Sequence, residues 1–159
     1  EMLRRHGISW VGAELDPRLV DQGRHAGETI FFGDAARHEF LQRCGLSEAS
    51  ALVVTMDDPE GVATIVAVAR ELHPTLTIVA RARDARHAQR LYDLGATDAV
   101  PETVEASLQL SEAVLVEIGV PMGLVIASIH ERRDEFRKIL NRPESLGGRA
   151  RRFQRDQAG

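Results

Sequence analysis

A chain of 159 residues, 43% apolar and 28% charged, is long enough to bury one hydrophobic core without disulfides or metal. Its formal net charge of −4 argues against a general attraction to nucleic acid, and the single cysteine, Cys44, excludes an internal disulfide. No apolar run reaches the ~18 residues that a membrane-spanning helix needs, and no signal peptide is visible; the first residue is Glu1 rather than Met, so a longer parent chain is expected.

In chain order, residues 1–6 read as the end of a helix stopped by Gly7, which can take the left-handed cap position. A short β-type run, Ile8–Ala13, ends in acid at Glu14 and Asp16. Asp16 is a helix N-cap followed by Pro17 at the first turn, and that helix runs to about Arg24. Thr29–Phe32 is a second strand, ending at Gly33-Asp34. A helix follows to about Cys44, where the thiol is expected to act as a small buried hydrophobe; one free thiol also fits a reducing compartment. Gly45 ends that helix. Ala51-Leu52-Val53-Val54 is a continuous apolar run, as expected for a strand buried on both faces.

After Thr55-Met56-Asp57-Asp58-Pro59, the positions Val62, Ile65, Val66, Ala69 and Leu72 fall at helical spacing. Leu76–Ala80 is the next strand, Ala85–Leu94 a helix closed by Gly95, and Asp98-Ala99-Val100 a last strand. Two helices finish the ordered chain, about Thr103–Ile118 and Met122–Leu140. Along the second, Ile126, Ile129, Phe136 and Leu140 form one stripe, expected to be buried either on the same domain or across a second copy. Residues 141–159 are rich in Gly, Arg and Gln and are expected to be disordered. The predicted division is therefore 1–101 for an α/β domain, 102–140 for a helical appendage, and 141–159 for a tail.

Strands alternating with helices imply an α/β fold with a parallel sheet and right-handed crossovers. In a Rossmann-like doubly wound sheet, ligands lie outside the carboxyl ends of the strands. Glu14, at such an end, is placed to accept the hydroxyls of an adenosine ribose, with Asp16 as the helix cap; both also read as solvated turn acids. Asp34 can accept from an adenine amino group or cap the helix expected to start at Ala36, beside Ala35. Met56, Asp57 and Asp58 follow the apolar strand, where backbone amides can meet ribose or phosphate; Asp58 before Pro59 also reads as a cap. Arg81 and Arg83 alternate as strand residues do and so share one face. Two guanidiniums there can bind a carboxylate or phosphate, or pair with Asp84, Asp57 or Asp58. The six histidines are scattered without metal-ligand spacing, and no catalytic acid–base pair or nucleophile arrangement stands out.

Taken together, Val-Gly-Ala-Glu-Leu-Asp-Pro (11–17), Phe-Phe-Gly-Asp-Ala (31–35), Ala-Leu-Val-Val-Thr-Met-Asp-Asp-Pro-Glu (51–60), Val-Ala-Arg-Ala-Arg-Asp (79–84) and Pro-Glu-Thr-Val-Glu-Ala-Ser (101–107) resemble the cytoplasmic RCK or Trk-N nucleotide-binding domain of Kef-type potassium efflux (cation:proton) antiporters. The resemblance covers about residues 2–140. It implies a regulatory domain without turnover at the cytoplasmic face of the inner membrane, a homodimer, and a membrane antiporter domain in the same parent chain. It also implies NAD or AMP in the Rossmann cleft and a regulatory ligand near Arg81 or Arg83. The first strand of that fold and its Gly-x-Gly-x-x-Gly turn are not in this chain, so residues 1–159 alone are expected to bind nucleotide weakly or not at all. Glutathione-gated members carry an Arg where Pro101 stands, which argues against glutathione control. Two other readings fit the same α/β pattern, a piece of a soluble NAD-dependent oxidoreductase and a Trk-type potassium uptake regulatory subunit.

Overall fold

The computed structural model describes residues 2–141. The elements are α1 (Met2–Arg5), β1 (Gly12–Glu14), α2 (Pro17–His25), β2 (Ile30–Phe32), α3 (His38–Arg43), a 3₁₀ turn (Leu46–Glu48), β3 (Ala51–Val54), α4 (Pro59–Leu72), β4 (Thr77–Ala82), α5 (Ala85–Asp93), β5 (Asp98–Pro101), α6 (Glu102–Glu117) and α7 (Met122–Leu140). All strand pairs are parallel, in two sheets of order β1-β2 and β3-β4-β5. This is the Rossmann-like α/β class read from the sequence. Apart from Asn141, the predicted tail lies outside the described residues.

Helix starts follow local chemistry. Asp16 accepts from the Arg18 amide ahead of Pro17, and Asp58 accepts from the Glu60 and Gly61 amides ahead of Pro59. Proline at the first helical position loses nothing, since its missing N–H would have no partner there. Gly7, Gly45, Gly95 and Gly119 close helices with positive φ. The stretch after Gly33 is not helical at once. Asp34 turns back onto the Ala36 amide, and α3 begins only at His38.

The main core lies between β3-β4-β5 and the helices α4 and α5. Two successive right-handed crossovers moving the same way across a sheet put both helices on one face. Ile78, Ala80 and Ala82 point into that layer with no exposure, against Val62, Val66, Ala69, Ala88 and Leu91. Thr77 and Arg81 alternate outward. The same geometry corrects the expectation for Ala51–Val54. Val54 is buried, but Ala51 and Val53 are exposed, Val53 by 57%. A continuous apolar run thus has one covered face here, because both neighbouring crossovers cover the other side.

The first strand is shorter than its sequence suggests. The ladder begins where Gly12 N–H donates to Thr29 O at 2.8 Å and covers only three residues opposite Ile30–Phe32. Ile8, Trp10 and Val11 stay outside it and exposed. A β-type sequence becomes a strand only where a partner edge is available.

At the amino-terminal end of the larger sheet, Arg70 ties three segments. Its guanidinium donates to Gly95 O at 2.7 and 2.9 Å, to His73 O at 3.2 Å and to Pro74 O at 2.8 Å. Its stem lies on Gly95, whose φ of +105° and lack of a side chain leave room for it.

The helices α6 and α7 form a hairpin with a small core of Leu108, Val125 and Ile129. The predicted stripe of α7 is used mainly within the chain. Ile129 is buried against α6 and Leu140 packs on the main core. Phe136 lines a cavity of about 180 Å³ with Ala99, Pro101 and Val104. Arg133 pairs with Glu105 at 2.8 Å and Arg137 with Asp98 at 3.0 Å, closing the seam. Other apolar side chains remain exposed: Leu110 and Val114 of α6, Ile118 at its C-cap, and Met122 and Leu124 of α7.

Candidate functional site

The carboxyl ends of β3, β4 and β5 meet in an open cleft of about 310 Å³, lined by Met56, Asp57, Arg81, Arg83, His87 and Glu102. Each lining residue is placed by the element it ends or starts. Met56 and Asp57 leave β3, Arg81 ends the outward row of β4, Arg83 follows that strand, His87 sits in the first turn of α5, and Glu102 opens α6.

Arg81 is the hub. It donates to Thr55 O at 3.0 Å, pairs with Asp57 at 2.6 Å, and pairs with Glu102 through Nε. The bond to Glu102, with the charge of Asp57 added, holds the guanidinium above its ordinary pKa. Of the two roles open to Arg81, binding an anion or pairing with a neighbouring acid, the structure displays the pairing. An incoming anion would have to compete with Asp57 and Glu102. Arg83 differs: it reaches Asp84 at only 3.4 Å and its side chain is 69% exposed.

The remaining sequence-derived candidates are engaged locally. Glu14 Oε1 accepts from its own turn, from Leu15 N–H at 2.7 Å and Asp16 N–H at 2.9 Å. Asp16 is held below the ordinary carboxylate range by its hydrogen bond from the Arg18 side chain. Asp34 accepts from Ala36, Ala35 is half-buried beside the core, and Asp58 caps α4. The structure therefore gathers Met56, Asp57, Arg81 and Arg83 in one cleft. Glu14, Asp16, Asp34 and Ala35 belong to the β1-β2 unit and its loops and do not line it.

Two cleft residues escaped the sequence reading. Glu102 was hidden because its partner is 21 residues away in the chain. His87 is, in the sequence, one of six scattered histidines. The signal was its place three residues after the N-cap Asp84, where a side chain can reach back to the start of the helix. Its Nδ1 accepts from Arg83 N–H at 3.1 Å, and its own amide donates to Asp84 at 2.8 Å. That amide bond is the main cause of a lowered pKa at Asp84.

A parallel sheet with its charged cleft at the carboxyl ends of the strands is the arrangement of a Rossmann-like ligand-binding domain. The chain belongs to the TrkA-N domain family, which matches residues 1–102. It is 33% identical over 133 residues, 84% of this chain, to a putative K(+) efflux antiporter KefB from Alkalimonas amylolytica. It is 32% identical over 138 residues, 87% of this chain, to the glutathione-regulated potassium-efflux system protein KefC of Escherichia coli. It spans only about a fifth of those relatives, 20% and 22% of their lengths. Among solved structures, the Kef CTD of Shewanella denitrificans in AMP-bound form superposes with a TM-score of 0.65 at 26% identity, covering 86% of this chain and 97% of that one. No helix among the described residues is long and apolar enough to cross a membrane.

Proposed function

We propose that this chain is a regulatory, nucleotide-responsive domain of a potassium efflux antiporter, acting without turnover at the cytoplasmic face of the inner membrane. The observation that carries the reading is the likeness to the AMP-bound Kef CTD, which this chain matches over nearly that chain's whole length. In this reading residues 1–101 hold the nucleotide-binding unit and residues 102–140 form the appendage that passes its state on. Glu14 contacts the ribose, with Asp34, Ala35, Met56, Asp57 and Asp58 along the rest of the nucleotide, while Arg83, and Arg81 once released from its acids, take an anionic regulator. The ligand is an adenine nucleotide, AMP or NAD, and the domain works as a homodimer beneath the membrane part of its parent chain.

The test is calorimetric titration of AMP into the full-length gene product and its Glu14→Gln variant. Gln keeps an acceptor for the Leu15 and Asp16 amides while removing the charge. Loss of a charge-assisted hydrogen bond to ribose is expected to weaken AMP by about tenfold or more. No AMP binding by the full-length protein refutes the nucleotide reading, and unchanged affinity in the variant refutes the role of Glu14.

A further inference from the structure

Among the described residues, His87 is the one buried polar or charged side chain, 8% exposed. Its ring joins two segments, the turn before α5 and the start of α4. Nδ1 accepts from Arg83 N–H at 3.1 Å, and Nε2 lies 3.1 Å from Pro59 O at the start of α4. An amide N–H only donates and a carbonyl only accepts, so the ring is neutral with its proton on Nε2. A second proton has one place to go, Nδ1, which already faces a donor. Protonation therefore turns the contact with Arg83 from attraction to repulsion while leaving the contact with Pro59.

We propose that His87 is a proton-responsive positioning residue of the cleft: neutral, it pins the Arg83 wall to the start of α4, and protonated, it lets that wall go. Histidine is the side chain whose ordinary charge change lies nearest neutral pH. The charged groups around the ring come from every neighbouring element. Asp84 and Arg83 flank it in the turn before α5. Glu60 of α4 and Arg90 of α5 pair with each other at 2.9 Å. Asp57, Arg81 and Glu102 complete the cleft rim. The carboxylates of Glu60 and Asp84 both feel charge on the ring. A protonated ring thus keeps two acidic neighbours as it loses the Arg83 contact, which favours a local rearrangement of the turn over unfolding. Arg83 is the lining cation with the weakest partner, so movement of its backbone changes what the cleft offers an anion. This inference deepens the reading of the cleft as a ligand site and rests on it for its functional meaning.

Nuclear magnetic resonance of the 159-residue chain tests it without a ligand. The ring nitrogens of His87 are expected to report the Nε2–H form at neutral pH. On acidification, the Arg83 amide resonance is expected to move with the same midpoint as the ring. A ring in the Nδ1–H form, a ring that takes no proton before the chain unfolds, or an Arg83 amide that ignores the ring each overturns the proposal. His87→Gln removes the titrating group and is expected to abolish the pH-dependent movement of Arg83; if that variant fails to fold, the wild-type titration decides alone. In the full-length protein, the affinity for sulfate, an anion whose charge is constant over this pH range, is expected to change about fivefold as the ring is protonated, the factor one hydrogen bond sets, and to stay constant in His87→Gln. Sulfate affinity that stays constant across the ring's titration in the wild-type protein overturns the positioning role. Failure to bind AMP at any pH counts against the nucleotide reading, and the Arg83 readout still judges the switch.

Discussion

Replacing Arg70 by Met should destabilise the fold by about 3 kcal/mol, all of it from contacts around one guanidinium. Met preserves the apolar stem that lies on Gly95, so packing is largely retained and only the donors are lost. Three carbonyls then lose a charged partner, those of Gly95, His73 and Pro74. The bond to Pro74 is exposed, and water replaces it at little cost. The bonds to Gly95 and His73 are partly buried, and each is worth about 1.5 kcal/mol at the low end for a charged donor. For a domain of this size, about 3 kcal/mol corresponds to a melting temperature lower by roughly 10 °C. Thermal unfolding followed by circular dichroism measures it directly. A drop below about 3 °C would show that water satisfies all three carbonyls and that the guanidinium is not the tie it looks like.

Two further predictions concern charge and assembly. Asp84 has its folded-state pKa lowered chiefly by the His87 amide, so its contribution is present above the ordinary carboxylate range and is lost as pH falls through the lowered value; Asp84→Asn, which caps about as well, is expected to flatten the acid limb of the stability curve with little change at neutral pH, and an unaltered acid limb would contradict this. A homodimer of the proposed kind has the exposed Leu110, Val114 and Ile118 available to bury, so Val114→Asp with Ile118→Asp is expected to shift sedimentation from dimer to monomer, whereas Ile129→Ala, buried within the hairpin, is expected to cost about 2–5 kcal/mol of stability. A wild-type chain that sediments as a monomer at tens of micromolar, roughly the range where a modest interface is populated, would refute the dimer.

Much of the fold is legible in the sequence because its signals are local. Asp16-Pro17 and Asp58-Pro59 announce helices through capping chemistry that needs only neighbouring residues. Gly7, Gly45, Gly95 and Gly119 stop helices for equally local reasons. What could not be read depends on partners far along the chain. Ile8–Val11 has strand composition, but the β1 ladder starts only at Gly12, opposite Ile30. Val53 looks interior in a four-residue apolar run, yet which face a crossover helix covers is a property of the whole sheet. The stripe on α7 was visible, whereas its occupant was not; Leu140 reaches the main core only through the turn between α6 and α7. The cleft divides the same way. The outward place of Arg81 is written in the alternation of the strand, with Arg83 just past its end, while Glu102 and the role of His87 required the tertiary fold.

The Arg81 ion pairs have a mechanical consequence. One guanidinium holds Asp57, in the turn after β3, and Glu102, the first residue of α6. At about 1.5 Å per residue, the 16 residues of α6 make an arm roughly 24 Å long with its fulcrum in the cleft. A tilt of about 5° at Glu102 would displace the far end by about 2 Å, given that rise. A ligand that does no more than take Arg81 away from Glu102 would therefore free the arm at its fulcrum, and the displacement would be largest at Glu117, followed in the chain by the exposed Ile118, Met122 and Leu124.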